Sequence, residues 1–235
     1  MNVVITGASR GIGKALAEKF AEDKQGNTIL LCARNKEKLT NFKKELQGRF
    51  PRTNVDCMAC DLGIKAEAQA FGKWILESVA NIDVLINNAG TYVPGNISNE
   101  PDGALEQMLQ VNLFSAYHLT RAVLPKMMAQ KNGHIFTICS IASLAAYPNG
   151  GAYSISKFAL LGFTKNLREE LKPYKIKVTA VLPGAVYTDS WIGSGVAPDR
   201  IMAANDIASL IYNASHLSPQ ANVEEIIVRP VLGDL

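Results

Sequence analysis

Tyr153 and Lys157 stand four residues apart in Ala152-Tyr153-Ser154-Ile155-Ser156-Lys157. On a helix that spacing puts a phenol and an ammonium on one face. A phenol titrates near about 10, so it exchanges protons poorly at neutral pH unless a neighbouring cation favours its phenolate. Lys157 is placed to be that cation, and the pair is suited to passing a proton to or from a substrate oxygen. The same spacing also occurs by chance on helices where the tyrosine packs and the lysine is solvated. Other reactive side chains form no constellation. His118, His134 and His216 lie in unrelated contexts. Cys57-x-x-Cys60 has no second Cys or His pair nearby to complete a metal site, and an offset of three along a strand turns its thiols to opposite faces. No metal is expected.

The N-terminal segment supplies a second chemical element. Val3-Val4-Ile5 is a short apolar strand running into Thr6-Gly7-Ala8-Ser9-Arg10-Gly11-Ile12-Gly13, followed by an amphipathic stretch from Lys14 to Glu22. Strand, glycine turn and helix in that order make a nucleotide-binding start. Gly7 permits the tight turn, Gly11 lets backbone approach a pyrophosphate, and Gly13 lets the helix pack closely with its N-terminus toward the phosphates. The end of the next apolar strand, Ile29-Leu-Leu-Cys-Ala33-Arg34-Asn35, bears on the choice of cofactor. An acidic residue there would hold the ribose hydroxyls of NAD and repel a 2′-phosphate. Ala33 stands there instead, with Arg34 next and Arg10 in the glycine turn, so two guanidiniums can converge on one phosphate. NADP(H) is the expected cofactor.

The elements that must position these groups alternate along the chain. Strands are predicted at 3–6, 28–33, 55–61, 84–87, 134–140, 177–182 and 225–231. Helices are predicted up to about 23 and at 36–49, 65–80, 102–130, 153–171 and 205–217. This βα alternation predicts a single α/β domain over 1–235: one Rossmann-type, doubly wound parallel sheet with helices on both faces. In such sheets ligands bind beyond the carboxyl ends of the strands, where the motifs fall.

Composition agrees with a globular enzyme. The chain has 235 residues, 48% hydrophobic and 19% charged, with a net charge of +3. No basic block points to nucleic acid, and no apolar run reaches the roughly 18 residues that span a bilayer. With no leading targeting segment, a cytoplasmic protein is expected.

Along essentially its whole length the chain resembles the classical short-chain dehydrogenase/reductase family. The matching residues are Thr6 to Gly13, Asp61-Leu62, Asn87-Asn88-Ala89-Gly90, Asn112, Ser140, Tyr153 with Lys157, and Pro183-Gly184 through Thr188. Ser140 stands thirteen residues before the tyrosine, as the family requires, and Ser143 is a nearby decoy. The resemblance implies hydride transfer between NADP(H) and a small carbonyl or alcohol. Tyr153 would be the general acid, Ser140 would hold the carbonyl oxygen, and Lys157 the nicotinamide ribose. Asn112 would hold a water on a proton relay, although its position alone suggests a surface or capping residue. Gly7, Ser9, Arg10, Gly11, Ile12, Gly13, Arg34, Asn35, Asp61, Leu62, Asn88, Ala89, Gly90, Pro183, Gly184, Val186 and Thr188 would contact the cofactor. Tyr92, Val93, residues 144–149, Tyr187, Asp189 and Trp191 would face the substrate.

The segment between Thr188 and Pro198 is short for the helical lid usual in the family. The ending Val223-Glu-Glu-Ile-Ile-Val-Arg-Pro230 differs from that of 3-oxoacyl-carrier-protein reductases and, with Pro183-Gly-Ala-Val-Tyr-Thr188, is more similar to bacterial sepiapterin-reductase-type members. A homodimer or homotetramer through the 102–130 and 153–171 helices is implied. Two alternatives remain: a non-catalytic NADP-binding sensor or scaffold, and a sugar-nucleotide epimerase, for whose C-terminal domain the chain has no room.

Overall fold

A computed structural model describes residues 1–234, apart from the side chain of Ser190. Seven parallel strands form the central sheet: β1 (Asn2–Thr6), β2 (Thr28–Ala33), β3 (Asn54–Ala59), β4 (Val84–Asn87), β5 (His134–Ile138), β6 (Lys177–Pro183) and β9 (Glu225–Val228). Their order is β3-β2-β1-β4-β5-β6-β9. Helices α1 (Gly11–Ala21), α2 (Lys36–Arg49), α3 (Lys65–Ser78), α4 (Ala104–Leu109), α5 (Ser115–Gln130), α6 (Gly151–Leu171) and α7 (Ala204–Ser215) cover it. A short second pair, β7 (Val186–Tyr187) with β8 (Met202–Ala203), lies apart from it.

The strands are nearly continuous apolar runs because both faces of a parallel sheet are buried. Side chains alternate between the two layers with the period of two that a strand imposes. Val3 and Ile5 of β1, with Ile29 and Leu31 of β2, join α1, α2 and α7 in one core. Val4 and Leu30 point the other way, into a core with α3, α5 and α6. The chain leaves β1 toward β2 and β3, then returns to β4 on the other side of β1. Loops beyond these two strands therefore diverge and open a crevice, which is where a sheet of this kind takes its ligand.

Several expectations need correction. The predicted 102–130 helix begins at Ala104 and passes through one π turn, Gln110–Phe114, before continuing as α5. Asn112 sits in that turn and is buried, so it is neither a surface nor a capping residue. Strands β3 and β5 end at Ala59 and Ile138, two residues short of the predicted ends, so Asp61 and Ser140 lie just beyond their strands. Similarly, β9 ends at Val228 rather than at 231.

Cys57 and Cys60 do point into opposite layers, yet Cys60 has a neighbour that spacing along one strand could not show. Its Sγ lies 2.9 Å from that of Cys32 on β2. Both thiols are free, and the sulfur contact together with burial pushes the Cys32 thiol well up. No helix among the described residues is long and apolar enough to cross a membrane.

His134 at the start of β5 is buried against Phe136, with ring centroids 3.8 Å apart. The Thr179 hydroxyl gives its one proton to the Val223 carbonyl, so its oxygen must accept from His134 Nε2, 2.7 Å away. Nδ1 is then unprotonated, and it has no hydrogen-bond partner among the described residues. Burial accordingly holds the imidazole neutral, with a pKa of about 3. An unfolded histidine binds its proton near about 6.5. Stability from the neutral ring is thus complete above that value and falls as pH drops toward about 3, by up to about 1.4 kcal/mol per unit. Urea unfolding at pH 7, 6 and 5 should show this slope, and His134→Gln should flatten it. An unchanged slope in the variant would assign the acid sensitivity elsewhere.

Candidate active site

The glycine turn follows β1 and is tied directly to β4. Thr6 Oγ1 accepts from the Asn88 and Ala89 backbone N–H groups, each at 2.9 Å. The Asn88 side chain donates to Thr6 O at 2.7 Å and more weakly to Gly7 O. Gly7 has φ of 64°, a left-handed conformation that a side chain disfavours. Gly13 is required for a different reason. A Cβ there would lie 2.3 Å from Gly7 O and 2.6 Å from Asn88 Nδ2. The N-terminus of α1 is thereby pressed against the turn, where its unpaired N–H groups can face an anion. Ser9 completes the turn, Arg10 occupies the N-cap of α1, and Ile12 lies in its first turn; Ser9 and Ile12 are partly accessible.

Opposite this turn, β6 runs into Pro183 and Gly184. Gly184 N–H donates to Val228 O at 2.8 Å, Val186 is buried in β7, and Thr188 Cγ2 comes to 3.2 Å from where a Cβ on Gly11 would be. Residues 183–188 therefore close over the glycine turn. Between Thr188 and β8 the described chain forms only the short turns Asp189–Trp191 and Pro198–Arg200, without a helical lid.

At the other end of the crevice, Arg34 and Asn35 follow β2. Asn35 caps α2 by accepting from Lys38 N–H. Arg10 and Arg34 are exposed, and neither guanidinium has a hydrogen-bond or ion-pair partner among the described residues. Beyond β3, Asp61 turns its carboxylate onto the Gly63 N–H at 2.9 Å, while its own N–H donates to Glu67. Leu62 beside it is buried.

Tyr153 and Lys157 lie on the first turns of α6, and Lys157 Nζ is 5.8 Å from the Tyr153 ring centroid. The ammonium is buried, donating to Ile138 O at 2.8 Å. That carbonyl is the last of β5, and two residues on comes Ser140, also buried. Ser140 Oγ accepts from Ala142 N–H, and Ser140 N–H donates to Ser143 Oγ. Ser143 thus anchors the loop carrying Ser140. Both amide protons of Asn112 are used, donating to Thr91 O and to Ser156 Oγ, and its carbonyl oxygen accepts from Thr91 N–H at 2.7 Å. Ser156 in turn donates to Tyr153 O at 2.7 Å. The π turn and the Tyr153 helix are joined through a serine between the two singled-out side chains. Gly90 completes this corner, where an added Cβ would come to 3.3 Å from Asn112 Oδ1 and 3.7 Å from Lys157 Nζ.

The loop after β4 is stitched to the start of α6. Gly95 N–H donates to Asn149 O, Asn149 N–H donates to Asn96 Oδ1, and Glu100 accepts from Ala152 N–H, each at 3.0 Å. A carboxylate is favoured at that helix end by the aligned peptide dipoles. Glu100, Ser143 and Ser156 are contributors that the sequence does not mark, and the tie from Thr6 to β4 is not visible in it either. Ser156 offers the most legible signal, a small polar residue between Tyr153 and Lys157, whereas nothing in the sequence singles out Glu100.

Comparison with known proteins decides the family. A family model described as short chain dehydrogenase matches residues 1–195. The chain is a short-chain dehydrogenase. The sepiapterin reductase of Chlorobaculum tepidum is 31% identical to this short-chain dehydrogenase over 242 residues, covering 99% of this chain and 97% of that protein. Among solved structures, a metagenomic short-chain oxidoreductase in complex with NADP is 32% identical with a TM-score of 0.83, covering 98% and 97% of the two chains. An alcohol dehydrogenase from the archaeon Thermococcus sibiricus, complexed with 5-hydroxy-NADP, is 27% identical with a TM-score of 0.89, covering 98% and 96%. The short-chain dehydrogenase thus shares its doubly wound sheet with proteins that hold NADP.

Proposed function

We propose that this NADP-dependent short-chain dehydrogenase reduces a ketone to an alcohol, with Tyr153 as proton donor. The crevice suits the cofactor: the glycine turn leaves no room for side chains at Gly7 and Gly13, and Arg10 and Arg34, whose guanidiniums have no partner among the described residues, would be the cations that hold a 2′-phosphate. Gly11, Ser9 and Ile12 would flank the pyrophosphate, Asn35, Asp61 and Leu62 the adenosine, and Asn88, Ala89, Gly90, Pro183, Gly184, Val186 and Thr188 the rest. When bound, NADPH supplies a hydride.

Tyr153 gives its phenolic proton to the substrate oxygen. Ser140 donates a hydrogen bond to that oxygen as charge develops on it. Lys157 stabilises the negative charge left on the Tyr153 oxygen and would hold the nicotinamide ribose. Asn112 fixes the Thr91 loop against α6 through Ser156. One observation carries this proposal: the buried ammonium of Lys157 lies beside the Tyr153 ring while anchored to the strand that delivers Ser140. Bacterial sepiapterin-reductase-type chemistry is the favoured variant over 3-oxoacyl reduction, given the similarity of the chain ending. A cytoplasmic homodimer or homotetramer is part of the proposal.

Fluorescence titration tests the cofactor site. NADPH should bind at least about tenfold tighter than NADH, a difference of about 1.4 kcal/mol, and Arg34→Ala should erase most of that margin. Equal binding of both nucleotides by the unaltered protein would assign the arginines to the surface alone.

A further inference from the structure

The loops around Tyr153 limit what the substrate can be. Residues 91–99, 141–149 and 184–198 follow β4, β5 and β6, and contain no Lys, Arg or His. Their one charged residue is Asp189. A carboxylate or phosphate substrate entering between them would meet no cation of theirs and would lose its hydration unpaired. Lys157, the nearest ammonium in the site, is buried and held by the Ile138 carbonyl.

Aromatic surface is what these loops do offer. The Tyr92 ring stands edge-on to Tyr153, with centroids 4.9 Å apart and an interplanar angle of 79°. Tyr147, from the next loop, has its phenol pushed up by burial and by the neighbouring Tyr92. The Gly95–Gly150 bridge and the Gly95 bond to Asn149 hold the two loops together. Tyr92 and Tyr147 are 50% and 39% exposed, and Val93 and Leu144 beside them in the chain are 42% and 38% exposed, so large apolar side chains face solvent next to the proton donor. A wall of this kind gains most from covering by a flat π surface, since aromatic pairs at about 4.5–7 Å attract beyond their buried area.

We infer that the substrate is an uncharged aromatic or conjugated carbonyl compound, whose ring packs against Tyr92 and Tyr147 while its oxygen reaches Tyr153 and Ser140. The inference rests on the carbonyl-reductase function proposed above, and it excludes anionic keto acids and phosphorylated ketones.

A matched trio of probes tests it with NADPH: 1-phenylethanone, its saturated counterpart 1-cyclohexylethanone, and the anion phenylglyoxylate. The aryl ketone should show about tenfold higher kcat/KM than the cyclohexyl ketone, and the anion should be at least about a hundredfold poorer than the aryl ketone. In Tyr92→Leu and Tyr147→Leu the aryl-to-cyclohexyl ratio should fall toward one, with NADPH affinity unchanged as evidence of an intact fold. Equal kcat/KM for the two neutral ketones, preference for the anion, or a ratio unmoved in both variants would overturn the inference. If no ketone is reduced although NADPH binds, the carbonyl-reductase function fails. Equilibrium binding of the same trio to the NADP⁺-loaded protein then decides the ligand class: a tenfold tighter aryl ketone supports it, and equal affinities overturn it.

Discussion

Tyr153→Phe is expected to lower kcat by about a thousandfold, within the range of about 10²–10⁴ that a positioned proton donor contributes, while the dissociation constant for NADPH changes less than about twofold. The substitution removes one oxygen and keeps the ring, so its edge-on packing with Tyr92 and the cation above it are retained. Lys157 also keeps its bond to Ile138 O, which does not involve the phenol. Catalysis and cofactor binding should therefore separate cleanly. Steady-state kinetics beside a fluorescence titration measures both, and a variant retaining a tenth of the original turnover would remove Tyr153 from the role of proton donor.

Gly13→Ala should do comparable damage by another route. The added methyl would fall 2.3 Å from Gly7 O and 2.9 Å from Gly7 C, both backbone atoms, and 2.6 Å from the Asn88 amide. Backbone cannot rotate aside as a side-chain tip does, so α1 must retreat from the turn and the Asn88 bonds to Thr6 and Gly7 must loosen. Overpacking of this severity costs about 3 kcal/mol, and the same retreat withdraws the helix N-terminus from the cofactor, so NADPH affinity should fall at least about a hundredfold. Gly162→Ala on α6 is the matched control, because nothing lies within 4 Å of its added Cβ. It should be neutral, or stabilising by up to about 1 kcal/mol. Urea unfolding and NADPH titration of both variants provide the measurement. Similar behaviour of the two would show that the turn yields more readily than its geometry allows.

Much of the scaffold was legible because it is encoded locally. The apolar runs 3–5, 29–33 and 84–86, each closed by a turn, fix the strands, and the glycine spacing fixes the turn and helix start after the first of them. The features that stayed hidden depend on contacts between distant segments. Asn112 looked misplaced in a helix because a π turn cannot be read from helix propensity; it forms where Thr91 and Ser156 together claim one amide. Ser143 looked like a decoy for Ser140, whereas it accepts the Ser140 N–H. The sulfur contact of Cys60 with Cys32 follows from pairing of β2 with β3, a register set across 28 residues of chain. Glu100 precedes a proline and resembles any loop acid, and only the fold brings it to the start of α6.

The stitching of the loop after β4 to the base of α6 has a practical consequence for redesign. Specificity is commonly altered by transplanting a whole substrate loop from a relative. Here Asn96 holds the Asn149 N–H just before the helix that carries Tyr153, Glu100 holds the Ala152 N–H in its first turn, and Gly151 leaves no room for a Cβ between Glu100 and Gly95. A transplanted 91–101 segment would thus also reset the footing of the proton donor. Donor loops must be moved together with their own 149–152 segment, or altered only at 92 and 93, outside the seam.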